Sequence, residues 1–231
     1  MHQSVAVNRL RLAALIFDMD GLVLDTETTY FAAWRRAAAD IGCELTEQFC
    51  AGLSGCSGEI VRQRLQDYCG AEFDVAAFQQ LSGVYWTRHV ERHGIAVKPG
   101  FRAALAAADR CGLNYALATN SRRANAERCL QAAGLQQVFS VIVTADNAMQ
   151  PKPAPDLFLR AAEALACPIA DCLVLEDSPV GVRAAKAAGA RCIMVPSAAA
   201  AEPEAAELAD LVLADLYQVA DLISAQGPLP L

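Results

Sequence analysis

Leu12-Ala13-Ala14-Leu15-Ile16-Phe17-Asp18-Met19-Asp20-Gly21 runs from an unbroken apolar stretch straight into two acids and a glycine. A short continuous apolar run that ends at a turn residue is the pattern of a strand buried on both faces. The pattern recurs at Tyr115 to Ala118, Val138 to Val143, Cys172 to Leu175, Cys192 to Val195 and Leu211 to Leu213, with Ala/Leu-rich stretches of helical period between most of them. Such alternation predicts an α/β fold, a parallel sheet with helices on both faces. Helix punctuation agrees. Pro99 opens a helix over Gly100 to Cys111 that Gly112 ends, Ser121 and Gly134 bracket Arg122 to Ala133, and Ser178-Pro179 opens a helix that Gly189 closes.

The rhythm breaks between about Val23 and Val97. Strand candidates vanish there, and helical segments follow one another over Glu27 to Ile41, Ser57 to Tyr68 and Val75 to Arg92. A chain of 231 residues is too long for the usual single domain and too short for two large ones. One core domain carrying a helical insertion after its first strand fits that length.

Composition narrows the class. With 55% hydrophobic and 19% charged residues the chain can bury a sizeable core, and its apolar runs are too short to span a bilayer, so a soluble protein without a membrane partner is expected. Arg9 and Arg11 precede a short apolar run that ends in acids rather than a small-residue cleavage site, unlike a secretory signal. A net charge of −7 offers no basic stripe for a phosphate backbone and argues against nucleic acid as a general partner. The nine cysteines are odd in number and contain no Cys-x-x-Cys pair, which speaks against a zinc ribbon or a closed disulfide framework. They read as reduced, mostly buried small hydrophobes of a cytoplasmic protein.

Four features could carry chemistry. Asp18 and Asp20 end the first strand, close enough for both side chains to enter one pocket once the backbone turns at Gly21; an Asx-rich turn would look the same. Glu176 and Asp177 end the strand Cys172 to Leu175 and offer oxygens to a hard cation such as Mg²⁺, or simply decorate a helix N-terminus. Thr119, Asn120 and Ser121 supply hydroxyl and amide donors suited to an anion, or a plain helix cap. Lys152, between Pro151 and Pro153, is a surface lysine or a fixed ammonium that could neutralise phosphate and crowded carboxylates. His89 and His93, four apart on a predicted helix, have no third ligand in sight and are set aside as structural, as Trp34 and Trp86 are assigned to the packing of the insertion.

Taken together, Asp18-Met19-Asp20-Gly21 extended through Asp25-Thr26-Glu27, Thr119, Lys152-Pro153-Ala154-Pro155-Asp156 and Glu176-Asp177-Ser178 resemble, in order and in strand-end placement, the four motifs of the haloacid dehalogenase superfamily. The closest likeness is to its branch of β-phosphoglucomutases and small-molecule phosphatases. The resemblance implies a doubly wound Rossmann-like core, residues 1–22 and 98–231, with an all-helical cap over 23–97. It further implies a Mg²⁺-dependent enzyme that acts on a small phosphorylated metabolite such as a sugar or polyol phosphate. Asp18 matches the nucleophile, Asp20 the general acid and base, and Thr119, Asn120 and Lys152 the phosphate-binding positions. Asp18, the backbone carbonyl of Asp20, Asp177 and, in a weaker role, Glu176 match the metal site.

In the cap, Gly52 to Ser57 resembles the loop that reads substrate, so Ser54, Gly55 and Cys56, together with Tyr30, are candidate specificity positions. Tyr30 and Gly55 stand where β-phosphoglucomutases carry a histidine and a basic residue. That difference favours hydrolysis over the alternative of a sugar phosphomutase. Asp20 speaks against dehalogenation, because a halide leaving group needs no proton. A phospho-accepting receiver module would share the acids, threonine and lysine but would lack the inserted cap.

Overall fold

The structure is a computed structural model and describes residues 12–53, 58–197 and 203–226. Ser54, Gly55 and Cys56 lie outside them. The described strands are β1 (Ala14–Phe17), β2 (Asn114–Ala118), β3 (Val141–Val143), β4 (Cys172–Glu176), β5 (Arg191–Met194) and β6 (Leu211–Val212). All pair in parallel in the order β3-β2-β1-β4-β5-β6. The helices are α1 (Thr26–Asp40), α2 (Glu47–Ala51), α3 (Gly58–Cys69), α4 (Val75–His93), α5 (Phe101–Arg110), α6 (Arg123–Ala132), α7 (Asp156–Ala164), α8 (Pro179–Ala188), α9 (Pro203–Leu208) and α10 (Leu216–Gln226). None among the described residues is long and apolar enough to cross a membrane.

The chain divides into two compact units: Met1–Leu22 with Pro99–Arg123 and Phe139–Leu231, and Val23–Lys98 with Ala124–Val138. The first holds the sheet. Its central strand shows why an unbroken apolar run was required: Ala14 and Ile16 face one core layer with Leu157, Phe158, Val182 and Ala185. Phe17 belongs to the opposite layer, its ring 5.6 Å from Phe101, 6.0 Å from Phe139 and 6.5 Å from Tyr115. All four residues of β1 are buried, so no position on it tolerates the polar alternation of a half-exposed strand. Local signals set the helix ends. Ser178 caps α8 through the Gly181 N–H, Pro179 sits at its first position, and Gly189 closes it in the left-handed conformation at φ 81°.

The strand order places the reversal of winding beside β1, and in such sheets ligands bind at the carboxyl ends of the strands near that point. Register makes those ends level. Phe17 pairs with Leu117 on one side and Leu175 on the other, so Asp18, Ala118 and Glu176 follow at the same height.

The second unit is helical, with α1 and α4 packed along each other. Its core gathers Ala37, Leu45, Cys50, Leu65 and Phe78. Trp86 is buried there and donates its indole N–H to Thr29 Oγ at 3.0 Å, which agrees with the packing role expected of it. Tyr30 stacks on Trp86 with ring centroids 5.4 Å apart and receives a hydrogen bond from Asn125 on α6.

The expectation that the cysteines are all reduced is corrected here. Cys43, just after α1, and Cys69, the last residue of α3, form a disulfide with their Cα atoms 5.7 Å apart. A separation of 26 residues leaves no trace in a search for close Cys pairs; only the meeting of two helix ends creates the bond. Of the other described cysteines, Cys50, Cys111, Cys129, Cys172 and Cys192 are buried and Cys167 is half-buried.

Two stability predictions follow from these contacts. Reducing the disulfide, or replacing Cys43 and Cys69 by serine, releases a loop-closure constraint and should cost about 2–4 kcal/mol in denaturant unfolding; equal midpoints with and without reductant would show that the bond adds nothing. Both carboxylate oxygens of Asp210, just before β6, accept from Lys186 Nζ at 2.8 Å, and Oδ2 also accepts the Cys192 N–H at 2.7 Å. Burial raises its pKa, but these bonds outweigh burial and leave it below the ordinary aspartate value. The stabilisation is therefore complete above the ordinary aspartate range and fades as pH falls through the lowered value. Asp210→Asn should lower the melting temperature at pH 7, and the gap from the parent should narrow as the pH falls below the ordinary aspartate range.

Candidate active site

Lys152 Nζ is the hub of the strand ends. It donates to Asp18 Oδ1 at 2.5 Å, Glu176 Oε1 at 2.7 Å and the Ala118 carbonyl at 2.9 Å, one acceptor from each of the three level strand ends. An ammonium has three protons, and these contacts use all of them. The side chain is buried and lies 4.7 Å from the centre of the Phe158 ring. Its backbone is held as tightly. Asn120 accepts the Lys152 N–H at 2.8 Å and donates back to the Lys152 carbonyl at 3.3 Å, so the Asn120 side chain is occupied in placing the lysine.

Glu176 is fully buried. Its Oε2 accepts the Asp177 and Ser178 N–H groups at 3.2 and 3.3 Å and the Ser178 hydroxyl at 3.0 Å, which puts the carboxylate over the start of α8. Room for it exists only because residue 181 is glycine: a Cβ there would fall 1.8–2.0 Å from the Glu176 carboxyl. Gly21, at φ 86°, does the same for Asp177, since a Cβ on it would lie 2.0 Å from Asp177 Oδ2.

Asp18, Glu176 and Asp177 each bring a carboxylate oxygen within 4.8 Å of the others. Burial pushes the Asp18 pKa well above the ordinary carboxylate value; Lys152 pulls it back, and the charges of Glu176, Asp177 and Asp20 push it up again. Burial alone would lower the Lys152 pKa, but Asp18 and Glu176 outweigh it and keep the ammonium charged beyond the usual lysine range. Four acids thus share one resident cation. A hard divalent cation fits such an all-oxygen cluster and would relieve its surplus negative charge.

Asp20 turns towards β2. Its Oδ2 accepts the Thr119 hydroxyl at 3.2 Å and the Ser121 hydroxyl at 3.1 Å. The core residues singled out from sequence, Asp18, Asp20, Thr119, Asn120, Lys152, Glu176 and Asp177, therefore meet at the carboxyl ends of the central strands. Tyr30 lies in the helical unit. Sequence reasoning missed three participants: Gly181, the Asn120 grip on the lysine backbone, and the bond from Ser121 to Asp20. Gly181 had left a signal, a residue without a side chain in the first turn after Ser178-Pro179.

Gly181→Ala gives a sharp test of this packing. In an ordinary helix interior that change stabilises by about 1 kcal/mol. Here it must displace a buried, fully bonded carboxylate, and a loss of about 2 kcal/mol or more is expected in denaturant unfolding. A variant as stable as the parent would show that Glu176 has another place to go.

Comparison with known proteins places the chain. The family model for haloacid dehalogenase-like hydrolases matches residues 15–195, which include every core residue just described. Protein CbbY from a Cupriavidus necator plasmid is 32% identical over 91% of this chain and 88% of its own. The fructose-1-phosphate phosphatase YqaB of Escherichia coli is 33% identical over 78% of this chain and 94% of its own. A β-phosphoglucomutase-like protein from Thermotoga maritima superposes with a TM-score of 0.80 at 27% identity, over 93% of this chain and 99% of that one. The carboxylate and lysine cluster at the strand ends thus sits on the fold its motifs resemble, and the chain belongs to the haloacid dehalogenase-like hydrolase family.

Proposed function

We propose that this hydrolase is a Mg²⁺-dependent phosphomonoesterase, acting on a small sugar or polyol phosphate through an aspartyl-phosphate intermediate. The observation that carries the reading is the buried Lys152 ammonium between Asp18 and Glu176 with Asp177 beside them. A nucleophilic carboxylate can approach a phosphate dianion only where surplus positive charge is fixed nearby, and this cluster is arranged to hold that charge. The relatives support the substrate class, since one is a fructose-1-phosphate phosphatase.

In this mechanism the phosphoryl group takes a hydrogen bond from Thr119, and Lys152, whose protons already serve Asp18, Glu176 and the Ala118 carbonyl, acts on it through its charge. Asp18 attacks phosphorus, and the ester oxygen leaves with the proton carried by Asp20. Asp20, now a carboxylate, takes a proton from water; the resulting hydroxide attacks phosphorus and restores the Asp18 carboxylate as inorganic phosphate departs. Mg²⁺ held by Asp18, Asp177 and the Asp20 carbonyl would supply charge neutralisation on the phosphoryl oxygens. Both oxygens of Glu176 are already engaged by Lys152, Ser178 and the Asp177 N–H, so its part is to hold Lys152 in place. The helical unit, with Tyr30 and the segment around Gly55, serves as the cap that selects the substrate.

A panel of sugar phosphates, glycerol phosphate, phosphoglycolate, phosphogluconate and nucleotides, followed by phosphate release, tests the reading. Release should stop with EDTA and return with Mg²⁺. Asp18→Asn should reduce kcat by on the order of 10³-fold or more while the protein stays folded, because the change removes one of four crowded negative charges. No release from any member, or an Asp18→Asn variant as fast as the parent, would overturn it. Isomer conversion with a bisphosphate activator, without net phosphate release, would instead mark a phosphomutase.

A further inference from the structure

The hydroxyls that hold Asp20 can be counted proton by proton. Thr119 Oγ accepts the Ser121 N–H at 3.0 Å, which aims its single hydroxyl proton at Asp20 Oδ2, 3.2 Å away. Ser121 donates its own hydroxyl proton to the same oxygen at 3.1 Å. The Ser121 backbone is fixed on both sides, because its carbonyl also accepts the Ala145 N–H at 3.1 Å from the exit of β3.

A threonine hydroxyl has one proton to give. If Thr119 binds the phosphoryl group, as the proposed function holds, that proton must turn to a phosphate oxygen and leave Asp20. Ser121 then keeps the carboxyl in place. We propose that Ser121 is a positioning residue of Asp20, holding its orientation at the moment substrate claims the hydroxyl of Thr119. The inference rests on the phosphatase reading. In the first half-reaction, which kcat/KM reports, its consequence is specific to esters whose departing oxygen needs the Asp20 proton: misplacing the proton donor by a fraction of an ångström slows that transfer and leaves phosphate binding intact.

The test compares two leaving groups. The fastest alkyl phosphate of the panel needs a proton on its departing alkoxide, whereas p-nitrophenyl phosphate releases a phenolate that leaves without one. Ser121→Ala should lower kcat/KM for the alkyl ester roughly 10–100-fold and for the aryl ester by less than about 3-fold, with the alkyl loss in kcat rather than KM. Ser121→Thr, which keeps the hydroxyl, should recover most of the alkyl rate. Equal losses on both esters, a loss confined to KM, or no loss on either would overturn the assignment. The parent enzyme and Asp18→Asn, run in the same assays, separate this outcome from failure of the phosphatase reading: if the parent releases no phosphate, that reading falls first and this one with it.

Discussion

One ammonium group receives an acceptor from the end of each of three neighbouring strands, and the rest of the site is organised around that fact. Lys152 reaches Asp18 after β1, the last carbonyl of β2 and Glu176 at the end of β4. Burying a lysine costs several kcal/mol unless its charge is matched and its protons are used, and both conditions are met here. The match is deliberately uneven. Two carboxylates touch the lysine and two more stand near Asp18, so the cluster carries more negative charge than its own cation can balance. A surplus of this kind is what a hard divalent cation would relieve.

Placement of the groups depends as much on missing atoms as on those present. Glu176 and Asp177 occupy space that side chains at residues 181 and 21 would take, so two glycines in different parts of the chain determine where two carboxylates can stand. Neither glycine contributes a polar side chain. Asn120 works in a similar indirect way: exposed at the end of β2, it grips the main chain of Lys152 from both sides, so the lysine starts its reach from a fixed point.

Much of this architecture was legible in the sequence. The apolar runs located all six strands to within a few residues, because strands of a covered parallel sheet are buried on both faces and advertise it. The core acids and Thr119 were legible for a related reason, since each ends or closely follows a strand whose boundary the sequence marks, and Lys152 stood out between Pro151 and Pro153. What stayed hidden depends on three-dimensional meetings between segments without a local pattern. The Cys43–Cys69 bond joins two helix ends, the Ser121 hydroxyl reaches a residue about a hundred positions away, and Gly181 matters because of a side chain on the preceding strand. The short helix α2, Glu47–Ala51, escaped because so few residues cannot establish a helical period.

The central position of β1 has a consequence for how the molecule comes into being. The strand precedes the other described strands in the chain, and its two neighbours, β2 and β4, lie about one hundred and one hundred and sixty residues further along. During synthesis its wholly apolar surface has no sheet to join until most of the chain has emerged, and pairing over such separations is intrinsically slow. The segment that carries Asp18 is thus complete well before the strands that flank it. The cluster of Asp18, Glu176 and Asp177 can form only once β4 is present to pair with β1. A chain interrupted before β4 therefore carries Asp18 without Glu176 and Asp177, and leaves the apolar β1 short of one of its two neighbours.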